Sequence, residues 1–317
     1  MKFKKVLSVG IAESKLEPRY WGRIDGLCEK RVMLSEGSSE IKKQLSDADC
    51  LLINPFVFKV DKSLIDAAPS LKFICVLATG YGVVDCAYAA TKGIAVCNIP
   101  GYATESIAEL AIAVLLEYAR DIEHAKQMAR AGNYSDTPRF PVYELKGKKI
   151  GVIGAGRIGI RVAEIASAFG SEVFYWSRNK KADLESKGAR HREVEKLLSE
   201  CEVISLHLAL NKDTEMFLNE KRIGKIRHNS VLVNLSPNEL VDFNALEKRL
   251  AKGNLIYIAD HTDEMAPEQI EQLSKYEGFV PYPPIGYQTI EATSSKQEIF
   301  VGNMENFLKG TPTNKVN

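Results

Sequence analysis

The chain shows no excess of charge of either sign: its 317 residues carry 42 Lys and Arg against 41 Asp and Glu. That balance gives no electrostatic case for nucleic acid or an anionic membrane surface as a partner. Long apolar runs are missing too. The nearest candidate, residues 107–119, is interrupted by Glu109 and Glu117 and is too short to cross a bilayer. The amino terminus brings Lys2, Lys4 and Lys5 without a cleavage-site pattern behind them, so no signal peptide is expected. Cysteine is sparse, with six residues at 28, 50, 75, 86, 97 and 201 and no CxxC pair. They read as reduced, buried thiols of a cytoplasmic protein, not as a disulfide frame, and no metal site is expected. What remains is a globular chain, 45% apolar and long enough for about two domains.

What is present is alternation. Short apolar runs at 6–9, 50–53, 73–78 and 94–99 read as strands, and amphipathic stretches such as 40–45 and 62–67 read as helices. That order predicts an α/β fold with a parallel sheet covered on both faces. Ile107, Leu110, Ala111, Val114, Leu115 and Tyr118 share one helical face, so a helix is expected from a cap at Thr104 to about Arg130, where the turn formers of residues 132–138 break it. A second series follows, with strands expected at 149–153, 173–176, 203–208, 231–234 and 255–259. The helices expected between them are 157–169, 191–198 and 243–251, with Asp242 as N-cap and Gly253 at the far end of the last. A final helix is expected at 291–308, ahead of a polar tail at 310–317.

One motif stands out. Gly154-Ala155-Gly156-Arg157-Ile158-Gly159 follows the apolar strand and opens a helix. In that context Gly154 serves the tight turn, Gly156 lets the backbone approach a pyrophosphate, and Gly159 lets helix and strand pack closely. A dinucleotide site selective for NAD usually has an acid about 20 residues further on. Here the strand ends in Ser177 and Arg178, with Lys180 and Lys181 behind. A guanidinium would bind a 2′-phosphate where a carboxylate would repel it, so NADP(H) is expected, with NAD(H) as the alternative.

Several strings together resemble the D-isomer-specific 2-hydroxyacid dehydrogenase family. They are Thr79-Gly80-Tyr81-Gly82-Val83-Val84-Asp85, the run from Lys92 to Tyr102, Glu105-Ser106-Ile107-Ala108-Glu109, Leu145-Lys146-Gly147-Lys148, the glycine loop, Ser205-Leu206-His207-Leu208 and Leu240-Val241-Asp242. The Ser177-Arg178 pair is similar to that of NADP-preferring glyoxylate reductases. The resemblance implies two Rossmann-like or flavodoxin-like parallel-sheet domains with a cleft between them. Residues 1–98 plus 287–317 would form the substrate domain and 99–286 the nucleotide domain; a homodimer is implied as well. By the same resemblance Thr79, Gly80 and Tyr81 hold a substrate carboxylate, Thr104 contacts cofactor, His207 and Leu208 lie beside the adenine ribose, Asn234 and Leu235 along the nicotinamide, and Asp260 takes the carboxamide.

The family's chemical residues are a different matter. Its arginine, three residues after the asparagine of Asn-x-x-Arg-Gly, falls on Pro237. Its histidine, in Pro-His-Ile-Gly, falls on Pro284. Its glutamate belongs in the loop after Asp260, where Glu264 is near but out of register. Proline offers neither charge nor donor. The replacement acids expected from the residues are His261, directly after Asp260, and Tyr282, with Glu264 as a partner for the histidine. Asn238 could offer an amide donor in place of the guanidinium. Two functions are compatible with this pattern. One is an NAD(P)-dependent oxidoreductase transferring hydride to or from a small carbonyl or hydroxy compound by a non-standard acid, with glyoxylate, pyruvate and hydroxypyruvate as poor substrates. The other is a catalytically silent dinucleotide-binding sensor or interaction protein.

Overall fold

The computed structural model describes residues 1–135 and 137–317; residue 136, inside the expected break at 132–138, lies outside the described residues. The chain forms two compact units, Met1–Tyr102 with Ile290–Asn317, and Ala103–Thr289. Each is built on an all-parallel sheet, as the alternation of strands and helices predicts.

The first unit contains β1 (Phe3–Val9), β2 (Cys28–Leu34), β3 (Cys50–Ile53), β4 (Phe73–Val76) and β5 (Ala95–Cys97), in the order β2-β1-β3-β4-β5. This is the flavodoxin-like order. β3 and β4 are apolar at every position and wholly buried, as a strand covered on both faces must be. β2 is an edge strand carrying Glu29, Lys30 and Arg31, and those charges hide it from a search for apolar runs. The helix Ile290–Leu308 belongs here: Phe300, Val301 and Met304 join the core of Phe3, Val6 and Phe73, and the Phe307 ring lies 4.6 Å from that of Phe73. The polar tail is not loose. The Val316 amide donates to the Val96 carbonyl, and Lys315 bridges Cys97, so the tail lines the β5 edge.

The second unit contains β6 (Lys149–Ile153), β7 (Glu172–Trp176), β8 (Arg190–His191), β9 (Val203–Leu206), β10 (Ser230–Asn234), β11 (Leu255–Ala259) and β12 (Phe279–Pro281), in the order β12-β11-β10-β9-β6-β7-β8. The long helix expected to run to about Arg130 is two helices, Thr104–Ala119 and Ile122–Arg130. Asp121 breaks it with φ of 50°, and its buried carboxylate accepts from the Arg139 amide and guanidinium, a tertiary contact that overrides the helical periodicity. Thr104 stands inside the first turn, and Ala103 takes the cap position assigned above to the threonine. His191 lies in β8, and the helix expected at 191–198 is Val194–Glu200. The Asp242 carboxylate does cap its helix, accepting from the Ala245 amide, and Gly253 follows with φ of 63°.

Candidate nucleotide and proton-transfer site

In the seven-stranded sheet the chain runs outward from β6 to β7 and β8, then returns to β9 on the other side of β6. The carboxyl ends of β6 and β9 therefore flank a topological switch point, where ligands bind in open α/β sheets. The backbone is stitched together there: the Gly154 amide donates to the Trp176 carbonyl, and the His207 amide to that of Ile153.

Gly154 has φ of 99°, and a Cβ on it would lie 2.4 Å from the His207 carbonyl oxygen. A Cβ on Gly159 would lie 2.1 Å from the Gly154 oxygen, so helix and turn touch through backbone alone. Gly156 differs, since a Cβ there would meet nothing within 4 Å. It is the N-cap of the helix Arg157–Ala168, and no side chain caps that end. Open space in front of uncapped amides is what a pyrophosphate requires. Arg157 is exposed at the same turn and Ile158 half-buried behind it. At the end of β7 the Ser177 hydroxyl donates to the Asn179 carbonyl at 2.6 Å, while Arg178 and Lys180 are exposed without an ion pair among the described residues.

His207 sits between the loop and β9. Its Nε2 is 2.7 Å from the Ser205 hydroxyl, and burial pushes its pKa down to about 4, so the ring is neutral near pH 7. Leu208 is half-buried next to it. Asn234 is fully buried: its amide donates to the Tyr257 hydroxyl at 3.0 Å and its oxygen accepts from the Ser236 amide. Leu235, also buried, follows it into the turn that carries Pro237.

At the carboxyl end of β11 the polar groups converge. Asp260 is 3% exposed, and burial raises its pKa to about 6 against the opposing pull of His261 and the Gly286 amide. The His261 ring lies between two carboxylates, with Nε2 3.6 Å from Asp260 Oδ1 and Nδ1 3.5 Å from Glu264 Oε1. Asp260 Oδ1, His261 Nδ1 and Asn238 Oδ1 are buried without a hydrogen-bond partner among the described residues. Such orphaned atoms are what a bound amide or hydroxyl would satisfy. One of the two amide hydrogens of Asn238 is engaged, because the amide donates to the His261 carbonyl at 2.5 Å and ties the two loops together.

Tyr282 points elsewhere. Its hydroxyl donates to Glu117 Oε2 at 2.6 Å, and burial and that carboxylate raise its pKa. The ring lines a groove of about 1070 Å³ that also contains Tyr118, Arg139, Leu255 and Phe279, so it reaches toward the amino ends of β11 and β12. Glu117 as its partner carries no sequence signal, since the two are 165 residues apart, whereas Ser205 and His207 are only two residues apart at the end of β9 and meet locally. In the first unit Thr79, Gly80 and Tyr81 are exposed just beyond β4, with the Thr79 hydroxyl donating to the Ile99 carbonyl at 2.9 Å. Among the described residues no group of three or more His, Cys, Asp or Glu could hold a metal ion, and no helix is long and apolar enough to cross a membrane.

Comparison with known proteins matches the geometry. Residues 112–286 fit the model of the D-isomer specific 2-hydroxyacid dehydrogenase NAD binding domain. The chain belongs to this family. It is 39% identical over 267 residues to the glyoxylate reductase of Thermococcus litoralis, covering 82% of this chain and 81% of the relative. Among solved structures it is similar to the D-lactate dehydrogenase of Aquifex aeolicus complexed with NAD and lactic acid, at 27% identity and TM-score 0.82 over 96% of each chain. It is also similar to an acyclic imino acid reductase in complex with NADPH and D-Arg, at 25% identity and TM-score 0.84 over 99% of this chain and 100% of that one. The chain is thus an NAD(P)-dependent oxidoreductase with a nicotinamide dinucleotide as cofactor, and the silent-sensor alternative is not favoured.

Proposed function

We propose that this member is an NADP(H)-dependent reductase of a small 2-oxo compound, with His261 as proton donor and Glu264 as the residue that positions it. The observation that carries this reading is the imidazole held between Asp260 and Glu264 at the end of β11, beside two orphaned buried atoms. The dinucleotide, when bound, supplies the hydride. The chain's own residues do the rest. Gly154, Gly156 and the amides of Arg157, Ile158 and Gly159 hold the pyrophosphate. Ser177 and Arg178 take the ribose phosphate, which favours NADP over NAD. His207 and Leu208 flank the adenosine, and Thr104 contacts the cofactor. Asn234, Leu235 and Asp260 hold the nicotinamide end, and Thr79, Gly80 and Tyr81 offer amides to a substrate carboxylate. Glu264, whose carboxylate lies 3.5 Å from Nδ1, orients the His261 ring by its charge. Tyr282 is set aside as an acid because Glu117 occupies its hydroxyl. The free cysteines fit a cytoplasmic setting. A homodimer is proposed on the helix Ile122–Arg130, which buries none of its residues within the chain.

The test is a panel of 2-oxo acids with NADPH. His261→Ala is expected to lower kcat by about 10² to 10⁴ with little change in NADPH affinity. An unchanged kcat removes His261 from the reaction, and efficient reduction of glyoxylate, pyruvate or hydroxypyruvate overturns the reading of Pro237 and Pro284. Those two prolines favour a second reading. A protonated imine needs no acid, because hydride addition gives the amine directly. Turnover that requires ammonia beside the 2-oxo acid, and that survives His261→Ala, selects it.

A further inference from the structure

The five-stranded unit carries two cations that the proposed function does not use. Lys296, in the second turn of the helix Ile290–Leu308, is half-buried, with Nζ 5.7 Å from the centre of the Tyr102 ring. Lys15, in the short turn Glu13–Lys15 that follows β1, is close enough for its charge to act on Lys296. Among the described residues neither ammonium has a carboxylate partner. The acids next to them in sequence are engaged elsewhere: Glu13 faces Arg31 at 3.7 Å, Glu17 pairs with Arg19 at 2.9 Å, and Glu298 pairs with Arg23 at 2.6 Å. Burial first, and Lys15 second, push the Lys296 pKa down, so the fold holds this charge at a cost that a nearby anion would reverse.

Their place in the sheet gives the pair a use. β1 ends at Val9 and β5 at Cys97, so Lys15 and Tyr102 both follow carboxyl ends of strands, the edge at which ligands bind in open parallel sheets. The segment leading to Tyr102 also anchors the loop that begins at Thr79. The Thr79 hydroxyl donates to the Ile99 carbonyl, and the Asn98 amide to the Thr79 carbonyl at 2.7 Å.

We propose that Lys296, with Lys15 behind it, forms an anion subsite, and that the substrate is a 2-oxo acid bearing a second anionic group. This rests on the reading of the Thr79 loop as the place where a substrate carboxylate binds. A chain with Pro237 in place of a guanidinium holds a lone carboxylate weakly, and a second anion on Lys296 supplies affinity at another point of the molecule.

The test is calorimetric binding to the full chain with saturating oxidised cofactor, so that no turnover occurs. Pyruvate, 2-oxoglutarate and phosphonopyruvate are the probes, and the last two separate a distal carboxylate from a phosphonate. One of the dianions is expected to bind at least about tenfold tighter than pyruvate, a difference of about 1.4 kcal/mol. In Lys296→Met that ratio falls to near one, and Lys296→Arg restores it. A ratio near one in the natural protein overturns the subsite, and so does a ratio that survives Lys296→Met. A chain that binds the dianion through Lys296 but reduces no 2-oxo acid breaks the proposed reductase and keeps the subsite. One that reduces 2-oxo acids without preferring a dianion does the reverse.

Discussion

Two ends of one sheet are built from different parts. At β6 and β7 the working parts are backbone: three glycines, a turn and a set of uncapped helix amides. At β10 and β11 they are side chains, a buried aspartate, a histidine between carboxylates and an asparagine bridging two loops. A backbone site is constrained by close packing, so it admits few residue types. A side-chain site can exchange its members while the strands beneath stay the same, which is what the proposed reading of Pro237 and Pro284 supposes.

The strongest way to break this comparison is to add one methyl group to the backbone site. Gly159→Ala places a Cβ 2.1 Å from a carbonyl oxygen that cannot move without the turn. It is expected to cost about 3 kcal/mol of stability in urea denaturation, as overpacking does. Gly156→Ala, with open space around it, is expected to stay within about 0.5 kcal/mol of the natural protein while weakening NADPH binding. Equal stability losses in the two variants would show that the open space at Gly156 is not reserved for a ligand.

The same contrast explains what the sequence discloses. The glycine loop, the Asp242 cap and the buried strands β3 and β4 are local or periodic, so spacing reveals them. The break at Asp121 depends on Arg139, 18 residues away, and the engagement of Tyr282 depends on Glu117, 165 residues away. No local pattern encodes either contact. His261 and Glu264 fall between these cases. They are close in sequence, but only the turn Thr262–Glu264 brings the carboxylate back to the ring.

A smaller effect sharpens the cofactor side. Arg178 is exposed and has no ion pair among the described residues, so removing it leaves the fold intact and tests the proposed phosphate contact alone. Arg178→Ala is expected to raise the dissociation constant for NADPH by about tenfold, less at high salt, and to leave that for NADH within about twofold. Fluorescence titration with both cofactors measures it. An equal loss for the two would place Arg178 on a part that they share.

The smallest effect concerns the strain stored at β11. Asp260 is buried with one oxygen unpaired among the described residues, and its pKa is raised from 3.8 to about 6. Between those values the folded chain binds more protons than the unfolded one, so this group's contribution to stability falls as pH rises from about 4 to about 6. Above that range the carboxylate is charged in both states and the fold carries the full desolvation penalty. Asp260→Asn keeps the shape and removes the charge. It is therefore expected to stabilise the cofactor-free protein at pH 7.5 by about 1 kcal/mol, and to make little difference at pH 4. Paired denaturation curves at the two pH values test this. A variant less stable than the natural protein at pH 7.5 would mean that His261 and the Gly286 amide outweigh burial, and that the aspartate is a structural anchor and not a group kept under strain for a ligand.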